Sequence, residues 1–523
     1  MFRLRMSLRR TSAMVWLIII AGLFFYLKGR DFPITGDGRE YILMSQSLMS
    51  HGSTELRVED VNNVISSFKI KNDKFYDPDF NCLSNSDCLS EESLSFFKST
   101  KNDYYSWHFF GYSLLNLPSY VFFNYIKSNP TVSFAFTNIV IFLLAMYFLI
   151  FKLNERLIYK IIIFSGIMTT ATINYFKWNH PESVTLSLIV ISLVFLKSGK
   201  YKKSAIVLAI CSMQNPPIAF TSLAVYLFGL LTKARKEKDS MAKSLICSVY
   251  RDIPFATICA LLILFPSIFY FYNFGTPNLI LEKGSADYGL ISLERVFGFY
   301  FDLNQGMLLL IPAFFIISPF FIICLLQRNK NIKRVSLFIF LIFLSVISAV
   351  PSTQTTNWNP GTFGVLRYAY WNSIFIIFAI AELILSFNCK WFSKVLSVFL
   401  VISQIVLSFM QVNDLWYAKY FLTLSPVSSF VLMNFPDLYN PNPEIVLERT
   451  LHREGDTTTF FKNGKSLLFI RNGMIVKQIG NAPIKNNGCK PILLNVIENV
   501  KYWKFNEQCK LFDNNISTII TYP

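Results

Sequence analysis

Two carboxylates and a guanidinium fall within four residues at Asp37, Arg39 and Glu40, in the segment DFPITGDGREYILMSQSLMSHG that follows the first apolar run. Residues Tyr41 to Met49 fit an amphipathic helix ending near Gly52. An acid fixed at a membrane surface by such a helix reaches the head group of a lipid-borne substrate and can take a proton from an acceptor hydroxyl. Taken alone, an Asp near a helix N-terminus is more simply explained by the helix dipole. Further polar groups stand where apolar runs begin or end: His108 beside Trp107, Lys177, His180 and Glu182 around Pro181, Asn304, Gln305, Arg367 and Tyr368. Arg367 is the first choice for a phosphate, because guanidinium pairs bidentately with phosphate oxygens. Lys177 and Arg39 come next; Arg367 and Lys177 equally suit anchors among lipid head groups. His180 and Glu182 can line an acceptor pocket, although Glu182 also suits a helix start and His108 an interfacial position. Four His in the chain exclude a His-rich metal centre, leaving a carboxylate-held Mg²⁺ or Mn²⁺ as the cation to consider. There is no GxxxxGK[ST] phosphate loop, which argues against nucleotide hydrolysis.

Apolar segments must position these groups. Of 523 residues, 53% are hydrophobic and 15% charged, with a mean hydropathy of +0.41. That is too little charge to cover a soluble fold of this size, where about 25% is usual. The net charge of +17 does not signal nucleic acid, because the Lys and Arg residues punctuate apolar runs and form no clustered stripe. Spans of the required length, about 20 residues, are expected at 13–27, 132–151, 157–175, 183–197, 253–272, 306–326, 335–351, 369–387 and 394–411. The stretch 204–231 is basic at both ends and broken by MQNPP, so it is expected to form a hairpin of two short helices, 204–213 and 217–231. That makes about eleven transmembrane segments. With the N-terminus in the cytoplasm, the inner segments (1–12, 152–160, 197–203, 232–252, 327–334 and 388–394) hold 23 Lys and Arg against four acids. The outer loops 176–182 and 352–368 hold one basic residue each, as the positive-inside rule demands. The pattern requires that 107–126 does not cross; a juxtamembrane or re-entrant helix is expected there. Glu382 is the only acid within a clear span, and snorkelling or a local partner is expected to relieve it.

This topology places the long first loop 28–131 and the tail 412–523 outside the cytoplasm. It also gathers Asp37, Arg39, Glu40, His108, Lys177, His180, Glu182, Asn304, Gln305, Arg367 and Tyr368 at one face of the membrane. Polar groups there, beside apolar helices, suit an amphiphile with an anionic head and a lipid tail. The tail alternates apolar and polar residues around an Asn472-Gly473 turn, which predicts a small α/β or mostly β domain. Cys82, Cys88, Cys489 and Cys509 fall in the two outer regions, and two local disulfides, Cys82–Cys88 and Cys489–Cys509, are expected in an oxidising compartment. The domains are thus a membrane domain over 1–411 and an extracytoplasmic domain over 412–523.

The segment TGDGREYILMSQSL resembles the first-loop signature of GT-C-type membrane glycosyltransferases, the superfamily of protein mannosyltransferases and lipid A aminoarabinose transferases. WHFFGYSLLNLPSYVFF, WNHPESVTLSLIVISL, FDLNQGMLLLIPAFF and NWNPGTFGVLRYAYW are similar to later segments of that superfamily, in the same order, so the likeness covers roughly residues 10–410. Many relatives carry a second acid directly after the first, where this chain has Gly38. The resemblance implies a polytopic α-helical GT-C-like fold and transfer of a sugar from a polyprenyl-phosphate donor to a lipid, glycan or protein acceptor on the non-cytoplasmic face. In that reading Asp37 is the general base of an inverting attack, Glu40 the alternate acid and Arg367, Lys177 and Arg39 the donor-phosphate cations. A bacterial inner membrane is the expected location. A surface-polysaccharide polymerase or ligase is the nearest alternative, although those usually carry a large late loop with arginines. A transporter or flippase should show internal repeats and midplane charges, and neither is found.

Overall fold

The structure is a computed structural model describing residues 19, 21–28, 30, 32–69, 77–85, 94–234, 241–327, 331–359, 365–387, 389–412, 421–455, 457–471, 474–483, 491–505 and 519–521. Its contacts divide the chain into two compact units, Met1–Glu155 with Thr172–Gly284, and Arg156–Ala171 with Ser285–Pro523. Among the described residues, five helices are long and apolar enough to cross a membrane: Pro130–Lys152, Cys247–Phe274, Ile332–Ser352, Arg367–Ser386 and Lys390–Met410. The chain is therefore read as an integral membrane protein.

The remaining expected spans are shorter, and the sequence explains why. The stretch 306–326 becomes three pieces, Met307–Leu310, Pro312–Ile317 and Phe320–Leu326, because Pro312 and Pro319 each open a new helix. The stretch 157–175 is interrupted after Met168, where the Thr169 and Thr170 hydroxyls bond back to the Ser165 and Ile167 carbonyls. Of the expected first span, 13–27, residues 21–27 are helical, while 13–18 and 20 lie outside the described residues.

The first loop of the first unit carries α1 (Gly38–His51), capped by Gly52 in the left-handed conformation, and α2 (Val58–Lys69). Buried Asp60 of α2 accepts from Ser47 and contacts His51 at 3.0 Å, fixing the two helices together. A two-stranded ribbon follows, β1 (Phe96–Lys98) antiparallel to β2 (Tyr104–Ser106). Next come α3 (Gly111–Tyr125), α4 (Pro130–Tyr147), α5 (Glu182–Lys197), α6 (Tyr201–Ser212), α7 (Ile218–Ala234) and α8 (Met241–Phe274). Helices α6 and α7 form the expected hairpin around MQNPP. Helix α8 leaves Ile253, Ile258, Leu261, Leu264, Ile268 and Phe271 exposed, the surface expected of a lipid-facing helix.

In the second unit, Leu157–Met168 packs on α10 (Arg367–Ser386), Gly166 admitting the Phe314 and Ile377 side chains. Helix α10 is buried almost throughout and flanked by α9 (Ile332–Ser352) and α11 (Lys390–Val412). Glu382, fully buried, accepts from Arg334 Nη1 at 2.8 Å, so a local partner relieves it. The C-terminal part carries α12 (Pro443–Leu451) and a five-stranded sheet of order β5-β6-β4-β3-β7. Its strands are β3 (Leu467–Arg471), β4 (Met474–Gly480), β5 (Pro491–Ile497), β6 (Val500–Phe505) and β7 (Ile519–Thr521). All neighbours are antiparallel except β3 and β7. Leu467, Phe469, Ile479 and Tyr502 form the core between sheet and helices with Val446 and Leu447. This is the mixed α/β option of the two expected for the tail. The Asn472-Gly473 turn lies outside the described residues. Cys82 is disulfide-bonded. Its expected partner Cys88, and Cys489 and Cys509, lie outside the described residues.

Candidate active site

The first unit brings Asp37, Glu40, His108, His180 and Glu182 together. Asp37 occupies the N-cap position of α1 and makes no side-chain cap bond, so its carboxylate is not spent on the helix. Glu40 lies one turn on and is buried, 3% exposed against 24% for Asp37. The ribbon delivers the next group. Strand β2 ends at Ser106 and the chain continues through Trp107 and His108; Ser106 Oγ, Trp107 Nε1 (3.3 Å) and His108 Nδ1 (2.9 Å) all meet the Glu40 carboxylate. Helix α8 holds that segment from outside, Tyr270 Oη donating to the Trp107 carbonyl at 2.7 Å. With Nδ1 on Glu40, His108 turns Nε2 toward Asp37 Oδ2 at 3.7 Å.

The second histidine arrives from the turn before α5. Asn138 Nδ2 on α4 donates to the Trp178 carbonyl at 2.9 Å, and the Trp178 ring stacks on His180 at 3.6 Å. His180 Nε2 is 2.9 Å from the Thr35 carbonyl, which can only accept, so Nε2 carries a proton. Nδ1 then faces Asp37 Oδ2 at 3.9 Å and Glu182 Oε2 at 4.0 Å. Protonated, His180 sets one positive charge between two carboxylates.

Gly38 shows how closely these segments approach. Asn179 Nδ2 donates to the Gly38 carbonyl at 2.9 Å, and a Cβ on Gly38 would fall 2.4–2.6 Å from the Asn179 amide. A side chain directly after Asp37 would have to displace that amide.

Beside the cluster is an apolar cavity of about 340 Å³ between α3, α5 and α6, lined by Tyr112, Leu115, Pro181, Leu188, Ile210 and Gln214 among others. Gln214, from the MQNPP break, donates to Tyr41 Oη at 3.0 Å and accepts from the Tyr112 amide at 3.0 Å. The Tyr41 ring lies 5.9 Å from both the His108 and His180 rings. Tyr41, Ser106, Asn179 and Gln214 thus support the site without having been assigned a role from sequence. The one signal for Gln214 was a polar residue at the break between two apolar helices; for the others no spacing gave it away.

The other expected site residues make different contacts. Arg39 is engaged by Asp77 and Asp79 of the same loop. Lys177 is exposed, three residues before His180. Asn304, Gln305, Arg367 and Tyr368 belong to the second unit. There Asn304 bonds Tyr439 Oη (2.9 Å) and the Ser425 amide (3.0 Å), and Gln305 bonds the Trp358 carbonyl (2.7 Å), both side chains fully buried. They knit the turn at Asp302 into the C-terminal part. Burial pushes the Asp302 carboxyl up, against hydrogen bonds from Tyr439 and the backbone of Asn304 and Gln305. Arg367 opens α10 and donates to Tyr368 Oη at 3.3 Å.

Asp37, Glu40 and His108 could also hold a cation, since one donor atom from each lies within 4.8 Å of the others. Two carboxylates and an imidazole suit Mn²⁺ or Mg²⁺. No family model, curated protein or solved structure matches this chain.

Proposed function

We propose that the chain is a membrane glycosyltransferase that moves a sugar from a polyprenyl-phosphate donor to a lipid, glycan or protein hydroxyl on the non-cytoplasmic face. The observation that carries this reading is Asp37: a partly exposed carboxylate faced by two histidines, one of them adjacent in sequence to Pro181, which lines an apolar cavity. Its nearest competitor, Glu40, is buried and holds three donors, so Glu40 positions His108 while Asp37 meets substrate. Asp37 takes the acceptor proton as the acceptor oxygen attacks the anomeric carbon, and the glycosidic electron pair leaves on the donor phosphate. The His108 and His180 rings flank the Asp37 carboxylate. Lys177, exposed beside the His180 segment, is the cation of this unit suited to the phosphate. A divalent ion on Asp37, Glu40 and His108 would supply charge neutralisation for that leaving group. The apolar cavity suits the first isoprene units. The disulfide at Cys82 suits a first loop in an oxidising compartment, as at the outer face of a bacterial inner membrane.

The test is Asp37→Asn in membranes given a labelled polyprenyl-phosphate sugar and native acceptor lipid or glycan. Transfer should fall by at least about 10²-fold at normal expression, the usual loss for a missing general base. Unchanged transfer removes Asp37 from its role, and with it this mechanism.

A further inference from the structure

A second cavity lies at the opposite end of α6. The first, which Pro181 helps to line, is lined by Ile210 and Gln214, at and just beyond the C-terminal end of that helix; the second, of about 460 Å³, is lined by Lys200, Lys202 and Lys203 at its start and by Lys233 at the end of α7. Twelve residues of α-helix span about 18 Å, so the two cavities mark opposite ends of the hairpin. The sequence makes the hairpin tight at this end: a Cβ on Gly229 would meet Tyr201 Cβ at 2.5 Å, so only glycine lets the Tyr201 side chain lie against α7.

The charge in this cavity is unbalanced. Its one acid, Asp252, is buried and bound to Lys202 Nζ at 2.7 Å. Lys200, Lys203 and Lys233 have no carboxylate partner among the described residues. Tyr226 Oη, also lining the cavity, is buried with no hydrogen-bond partner among the described residues. The first amides of α6 add the positive end of a helix dipole. Running away from the lysines along α7 is an exposed apolar stripe, Phe220, Leu223, Leu227 and Leu231, at helical spacing.

We propose that this cavity binds the phosphodiester head group of an anionic phospholipid, with its acyl chains on the Leu223, Leu227 and Leu231 stripe. Cations at one end and exposed aliphatic side chains leading from it match an amphiphile with a negative head, and a free anion would leave the stripe unused. By the positive-inside rule this is the cytoplasmic leaflet. The site is separate from Asp37 and does not depend on the sugar-transfer reading.

The test uses the purified full chain in neutral detergent, with lipid binding counted by native mass spectrometry and stabilisation followed by thermal shift. The probes are phosphatidylglycerol, phosphatidylcholine and inorganic phosphate. Phosphatidylglycerol should bind and stabilise; phosphatidylcholine should bind at least about tenfold more weakly. Each lysine near an anionic head group is worth about fivefold in affinity. Lys203→Gln and Lys233→Gln should therefore each cost about fivefold, and the triple Lys200→Gln/Lys203→Gln/Lys233→Gln variant about a hundredfold. Lys333→Gln, at a basic helix start in the other unit, should change nothing. The proposal is overturned by single variants that bind phosphatidylglycerol as the wild type does, or by equal binding of the two lipids. Full stabilisation by inorganic phosphate alone would equally overturn it, showing an ion site without a lipid.

Discussion

At the scale of single residues, the segments that carry Asp37 and His180 meet at Gly38, where a Cβ would fall on the Asn179 amide. Gly38 sits against the buried Asn179 amide, so Gly38→Ala must displace that amide and its bond to the Gly38 carbonyl. Overpacking of this kind costs about 1–3 kcal/mol. Gly38→Ala should lower the melting temperature and transfer together, and adding Asn179→Ala should recover part of the stability; additive losses in a double-mutant cycle would show that the contact does not matter. The sequence announced Asp37, His108 and His180 as chemistry-bearing types beside apolar runs. It could not announce the division of labour between Asp37 and Glu40. That rests on Ser106 and Trp107 arriving from a ribbon some 65 residues later, and local periodicity does not encode such pairings. Arg39 shows the same limit: its type suited a phosphate, yet Asp77 and Asp79 engage it.

At the scale of elements, apolar length located the helices well, and proline and threonine decided where they break. The hairpin at MQNPP was legible because consecutive prolines forbid a continuous helix. The division of 157–175 was not, because it depends on Thr169 and Thr170 turning their hydroxyls onto the preceding backbone. Charge inside the helices is handled by pairing. Arg334 and Glu382 join α9 to α10, and Glu382 has no access to water. Removing one member of such a pair strands the other, so Arg334→Gln should destabilise by about 3 kcal/mol. Arg334→Gln/Glu382→Gln should recover most of that in detergent thermal melts. A double variant as unstable as the single would argue that the pair's charge is not the cause.

At the scale of the whole molecule, the C-terminal part carries a pH dependence. Burial lifts the Glu444 carboxyl from 4.5 to about 7, while the Trp358 and Asn359 amides donate to it. Between those two values the folded state holds a proton that the unfolded chain releases, so stability falls as pH rises through that window and is level above it. The change is on the order of 3 kcal/mol. Melting temperature should fall between pH 5 and 7.5, and Glu444→Gln should flatten the slope; an equally steep profile in that variant would assign it to another group. The charge-derived orientation is tested by Cys247 and Cys389, both exposed thiols on segments assigned to the cytoplasm. A membrane-impermeant maleimide should label them in inverted vesicles and leave them unlabelled in intact cells; the reverse would invert the topology. Finally, Leu157–Met168 is made early but packs within the second unit, its Gly166 face filled by Phe314 and Ile377. At about 5–20 residues per second, ribosomes need roughly 10–40 s to supply that partner helix. For that interval a short hydrophobic segment waits for its neighbours, a natural point for an insertase or chaperone to hold the nascent chain.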